Sequence, residues 1–321
     1  MVVHDDFVQS VTLSHARVPC VVLYKARQIE ELKAFCFNKR YGSVWSLDKT
    51  YNLGHVYVTV TVYRNVALQR NGTNTAPTFL GPLFIHGNLD FSTFATFMSH
   101  VAVRLVDCRF SEQRVGSDGE SAMRKAVEFA FTGASLVSCT RHLAENMRRN
   151  AHKVTAANDR RVGNLVEAVF GAGGLIACAD TLSYDTTLHR IRETLLPQVP
   201  PKLRQYFDGD IEPQLRNNME VGCAGWTNNA CESMNHMLKQ RTQWRLQHLP
   251  ELIDKCRALV NAQYNEADRA LLGLGDYHLQ PAYARHRQTL SRWQAMSERG
   301  VRLLPAAAHD GNINLDRRRS D

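Results

Sequence analysis

The sequence predicts an α/β fold: a three-stranded antiparallel meander followed by two βα units, with helices flanking the sheet and an all-helical insertion late in the chain. Three observations predict it. Residues 56–63 (VYVTVTVY) alternate strictly, Val56, Val58, Val60 and Val62 on one side and Tyr57, Thr59, Thr61 and Tyr63 on the other, which is the period of a strand. The apolar period then changes to that of a helix at 91–106, where Phe94, Phe97, Met98, Val101 and Leu105 share one face. Finally, two short β-rich segments, 113–117 and 135–138, each run directly into an amphipathic stretch.

Taken in order, residues 28–37 (QIEELKAFCF) carry Ile29, Leu32, Phe35 and Cys36 at helical spacing, which makes 1–42 a helical lead-in. Residues 43–51 pair with 56–63 through a turn at Asn52-Leu53-Gly54, and Asn71-Gly72 lies in the loop before a third strand at 79–86. After the helix at 91–106, the strand at 113–117 leads through Asp118-Gly119 into a helix ending at Phe131, with Met123, Val127, Ala130 and Phe131 as its stripe. The strand at 135–138 leads into a helix over 139–150 that ends in Arg148, Arg149 and Lys153. The order β-β-β-α-β-α-β-α is that of the ribonuclease H-like fold. The core then runs over 43–154 and resumes over 226–265, interrupted at 155–225 by helical segments (162–170, 187–196) broken at Pro197, Pro200 and Pro201. Helices at 230–240 and 249–264 return to the core, and 266–321 is a helical segment with a polar, frayed end carrying Arg317, Arg318 and Arg319.

The chain has 321 residues, 44% hydrophobic and 22% charged, which excludes a disordered or fibrous class and allows a sizeable core. Its apolar stretches, such as 173–179, fall short of the ~18 residues of a membrane helix. The first residues, MVVHDDFVQS, lack the basic and apolar regions of a secretory signal, so an intracellular setting is expected. Eight scattered cysteines include no Cys-x2-Cys pair, and reduced thiols are expected. A net charge of +8 favours an anionic partner.

Three carboxylates stand out. Asp48 interrupts a run of strand formers; it either faces solvent on a half-wet sheet or serves a site. Asp118 follows a short strand and precedes a helix. It could cap that helix, with Ser117-x-x-Glu120 as a capping box, or lie at the carboxyl end of a strand where α/β sheets bind ligands. Glu232 lies near the start of a helix, where Asn229-x-x-Glu232 also reads as a capping box; it shares a polar side with Asn235, His236 and Lys239. Together the three could converge on two divalent cations, Mg2+ or Mn2+, for in-line attack on a phosphodiester.

These residues resemble the Mutator-like element transposases, a family with a ribonuclease H-like catalytic domain and a DDE triad. Asp48-Lys-Thr-Tyr-Asn-Leu-Gly54 resembles the first-aspartate strand, Gly81-Pro-Leu-Phe-Ile-His86 the third strand and Gly116-Ser-Asp-Gly-Glu-Ser-Ala122 the second-aspartate block. Cys139-Thr-Arg-His142 with Asn146 is similar to a Cys-x2-His element, and Thr227 to Asn235 (TNNACESMN) to the block bearing the glutamate. The resemblance spans 28–263. It implies that Asp48, Asp118 and Glu232 bind the metals, that His142 lies by the scissile phosphate, and that the reaction is cleavage and transfer of DNA strands at transposon ends, in the nucleus. Transposon ends and target DNA are then the partners, and a homodimer is compatible with this.

Other residues keep two readings. Cys139 and His142 could supply half of a zinc site, or shape the site's edge. Trp226 could stack on an unpaired base or belong to the core. Asn229, Asn235, Arg141, Arg148, Arg149, Lys153, Arg160, Arg161, Lys239, Arg241 and Arg245 are candidate DNA contacts, or solvated helix faces. Unlike full-length family members, the sequence shows no amino-terminal Cys/His finger and no cysteine after Cys256, so terminal-repeat recognition is expected to come from elsewhere. The competing functions are a transposon-derived, non-catalytic DNA-binding or regulatory protein and, more remotely, a nuclease acting on RNA or hybrids.

Overall fold

The computed structural model describes residues 6–13, 18–38, 42–156 and 159–298, and it has the α/β class the sequence predicts: a mixed seven-stranded sheet flanked by helices. In chain order the elements are β1 (Val8–Thr12), β2 (Cys20–Leu23), α1 (Ala26–Phe35), β3 (Trp45–Thr50), β4 (Tyr57–Arg64), β5 (Leu68–Arg70) and β6 (Thr78–His86). There follow α2 (Phe91–Arg104), β7 (Arg114–Ser117), α3 (Ser121–Ala130), β8 (Ser135–Ser138), α4 (Thr140–His152), α5 (Arg160–Phe170), α6 (Thr181–Thr194), α7 (Pro201–Tyr206) and α8 (Glu212–Glu220). The last elements are α9 (Asn229–Arg241), α10 (Leu249–Leu271), β9 (Tyr277–Leu279) and α11 (Leu290–Glu298).

Across the sheet the order is β1-β2-β6-β4-β3-β7-β8, antiparallel from β1 to β3 and parallel from β3 to β8. The alternation in β4 survives, but both of its faces are buried, because helices cover the sheet on each side. On one face Thr59 pairs with Phe84, whose ring stacks on Phe97 of α2 at 4.9 Å, and Trp45 packs edge-on against Phe131 just after α3 at 5.4 Å. The other face carries Ser46, Asp48, Val60 and Val62 and receives α9, with α10 beside it.

The amino-terminal segment corrects one expectation. Read from sequence as a helical lead-in, it contributes β1 and β2 as well as α1, and these extend the antiparallel part to five strands. With five and four residues, the two strands are too short for periodicity to separate them from a loop or a helix start. The carboxyl-terminal segment, expected to be helical, contains β9, which pairs with β5 in a small second sheet. The Arg317–Arg319 run lies outside the described residues.

The segment between α4 and α9 is helical and has its own core: Leu143 and Met147 of α4 pack with Leu165, Val169, Tyr184, Phe207 and Ile211. Pro201 starts α7, where its missing N–H costs nothing, and a π-helical turn at Phe207–Ile211 joins α7 to α8. This insertion also closes the sheet. Asn218 of α8 accepts from the Ser138 N–H (2.9 Å) and donates to its carbonyl (2.7 Å), and Asn217 donates to the Leu136 carbonyl (2.6 Å), so two side chains stand where an eighth strand would pair.

Candidate active site

Register gathers the two aspartates. In the parallel β3/β7 pair, Trp45 lies opposite Val115 and Ser46 opposite Gly116; Asp48 follows on β3 and Asp118 comes directly after β7, near enough for its charge to act on the Asp48 carboxyl. Asp48 stands toward the carboxyl end of β3, on the α9 side, and Asp118 just past the carboxyl end of the neighbouring β7. Asp48 is buried, and Asn235 of α9 donates its Nδ2 to Oδ2 at 2.8 Å. Burial pushes the Asp48 carboxyl up to about 7, the neighbouring Asp118 charge adds to this, and Glu232 contributes a smaller push.

Asp118 does not cap α3. The helix begins after Glu120, whose carboxylate instead pairs with Lys49, and Gly119, at φ +95°, turns the chain between the aspartate and the helix. Oδ1 of Asp118 is buried with no hydrogen-bond donor, as is Oδ1 of Asn235. Buried acceptors without donors beside paired carboxylates are a donor set suited to a hard cation, and each would otherwise cost about 1 to 3 kcal/mol.

Glu232 is placed differently. The expected capping box is not formed: Asn228 is the N-cap of α9, and the Glu232 carboxylate forms an ion pair with Arg141 of α4. Among the described residues no group of three or more His, Cys, Asp or Glu side chains is arranged to hold a metal ion. Asp48 and Asp118 lie together as a pair of carboxylates, while Glu232 stands at its margin, engaged with Arg141.

Asn228 organises this region, a role the sequence conceals because an asparagine before a helix reads as an ordinary cap. Fully buried, it donates Nδ2 to the Leu47 carbonyl at 3.0 Å, next to Asp48, and its own N–H reaches the Cys139 sulfur at 3.3 Å. The Trp226 carbonyl accepts both the N–H and the hydroxyl of Thr140 at 3.0 Å. These bonds fasten the start of α9 to β3 and α4 together. Cys139 and His142 act as a pair: interaction with Cys139 raises the imidazole to about 9 despite burial, with Asp118 adding to the rise. Burial pushes the Cys139 thiol up, but His142 and the Asn228 N–H outweigh it, and the net shift is downward.

Of the other candidates, Asn235 is buried and spends its amide on Asp48 rather than facing outward. Asn229 is exposed and meets Arg141 at 3.5 Å, and Arg148 and Arg149 are exposed on α4. Lys239 lies over the Tyr51 ring at 5.2 Å. Trp226 is half-buried, packs on β7 at Gly116, and lines a cavity of about 480 Å3 with Ser46, Arg64 and Asn229. A Cβ on Gly116 would come within 2.3 Å of the indole, so Gly116→Ala is expected to destabilise the fold by about 1 to 3 kcal/mol and to alter Trp226 fluorescence. Urea denaturation checks it; an unchanged midpoint would show that the ring yields freely.

No protein-family model matches this chain, and no curated protein matches it.

Proposed function

We propose that this chain is the catalytic domain of a DDE-type transposase like those of Mutator-like elements, cutting and joining DNA strands with divalent cations held at Asp48 and Asp118. The observation that carries the proposal is the proximity of Asp48, on β3, to Asp118, immediately after the parallel strand β7, with α9 bearing Glu232 packed against Asp48 through Asn235. The order β6-β4-β3-β7-β8, antiparallel then parallel, supports a ribonuclease H-like assignment for the core.

When bound, Mg2+ or Mn2+, as one ion or two, would supply Lewis-acid activation of the phosphodiester and of the attacking hydroxyl. The chain's own residues do the rest. Asn235 fixes the rotation of Asp48, and Asn228 sets the approach of α9 to β3. His142, whose Nδ1 is buried without a hydrogen-bond partner, would offer a hydrogen bond to a phosphate oxygen. Glu232 joins the aspartates only where Arg141 releases it, and the exposed Arg148 and Arg149 hold the flanking backbone. Transposon ends and target DNA are then the partners and the nucleus the setting, and a homodimer would bring two ends together.

A second reading has one observation in its favour. The Arg141–Glu232 ion pair fits a transposon-derived protein that binds DNA without cutting it. A nicking and joining assay separates the two. In Mg2+ the wild type should yield products that EDTA abolishes and that Glu232→Gln reduces by about 100-fold or more, a loss near 3 kcal/mol in barrier. DNA binding without any metal-dependent product would favour the second reading.

A further inference from the structure

Beyond the carboxylates, the loop after β3 and the end of α9 meet at an exposed aromatic and cationic cluster. Tyr51 and Trp244 are 57% and 61% exposed. The Lys239 ammonium lies 5.2 Å from the Tyr51 ring centre and 6.0 Å from that of Trp244, so it is shared by both faces. His236 packs edge-on against Trp244 at 5.4 Å and is itself hydrogen-bonded to Gln240. The Gln247 N–H donates to the Leu53 carbonyl at 2.8 Å, so the two loops are tied together.

A second observation is independent of exposure. Gln243 and Trp244 are consecutive non-glycine residues in the left-handed region, at φ 54° and 58°, and the Trp244 N–H closes the helix end on the Lys239 carbonyl. Glycine or asparagine would terminate α9 there at lower cost. An indole held in that conformation and turned to solvent is strain that the core does not require, and such strain gathers where a surface has work to do.

We propose that Tyr51, Lys239 and Trp244 form a stacking platform for the bases of an unpaired DNA segment. Aromatic faces accept any base once it leaves the helix, while Lys239 and the exposed Arg241 and Arg245 complement the adjoining phosphates. Intact duplex offers no base face to such a surface. Tyr51 lies three residues beyond Asp48 in the chain, within ~10 Å at strand rise, so the platform takes nucleotides next to the reacting phosphate.

That the ligand is DNA rests on the function proposed above, but stacking needs no cleavage, so the test is made in EDTA with the full chain. Fluorescence anisotropy with a labelled oligo-dT strand and with a labelled duplex of mixed sequence would compare wild type, Trp244→Ala, Tyr51→Ala and Trp244→Phe. Trp244→Ala should weaken single-strand binding roughly 5- to 150-fold, Trp244→Phe should keep most of it, and duplex affinity should change far less. Wild-type single-strand affinity in both alanine variants, or equal losses for strand and duplex, would overturn the platform while leaving the proposed function standing. A wild type that binds neither DNA would remove both, and binding to anionic vesicles alone would give the surface to a membrane.

Discussion

Asp118→Asn is expected to lower Mg2+-dependent strand cleavage by about 1000-fold or more while the chain remains folded. The aspartate sits beside Asp48 with a buried oxygen that no protein donor satisfies. If that oxygen serves a cation, the amide removes the charge that holds it, and a loss of about 4 kcal/mol in transition-state stabilisation corresponds to three powers of ten. The amide is close to isosteric, and it relieves the repulsion that Asp118 exerts on Asp48, so thermal stability should not fall. Nicking rates across a Mg2+ titration, with circular dichroism melts of the same samples, check both halves. A variant that cuts at the wild-type rate would end the role proposed for Asp118.

Asp48→Asn should make the protein more stable at pH 8, by about 2 to 4 kcal/mol in EDTA, and leave it unchanged near pH 4. Burial, then Asp118, raises this carboxyl from 3.8 to about 7 in the folded chain. The folded state therefore holds a proton that the unfolded state has released. The stability this contributes is fully present below pH 4 and is lost as pH rises through 7. Three pKa units at about 1.4 kcal/mol each set a ceiling near 4 kcal/mol, and asparagine, which cannot ionise, avoids the loss while still accepting from Asn235. Urea denaturation at the two pH values measures it; an equal gain at both would show that ionisation is not the cause. The same variant should be inactive, so the aspartate is retained at a cost in stability.

Much of the centre of this architecture is legible in the sequence, because β4 alternates over eight residues and α2 keeps one apolar stripe over four turns. Short elements are not. β1, β2 and β9 run to five, four and three residues, and each is defined by its partner more than by its own pattern. The site divides the same way. Asp48 and Asp118 are visible as acids at strand ends, but only the fold, in which α3 starts after Glu120, shows that Asp118 is not its cap. The engagement of Glu232 with Arg141, 91 residues away in the chain, depends on how α4 meets α9. Trp244 carries no local signal, since nothing in its neighbours announces a left-handed tryptophan.

The two amides of Asn217 and Asn218 give α8 a duty besides packing into the core of the helical insertion. They act as a stopper on the outermost strand, occupying hydrogen-bonding positions that would otherwise solicit another chain. A shortened form of the protein lacking these helices would therefore be expected to recruit copies of itself along its uncovered border, and precipitation would be the first sign.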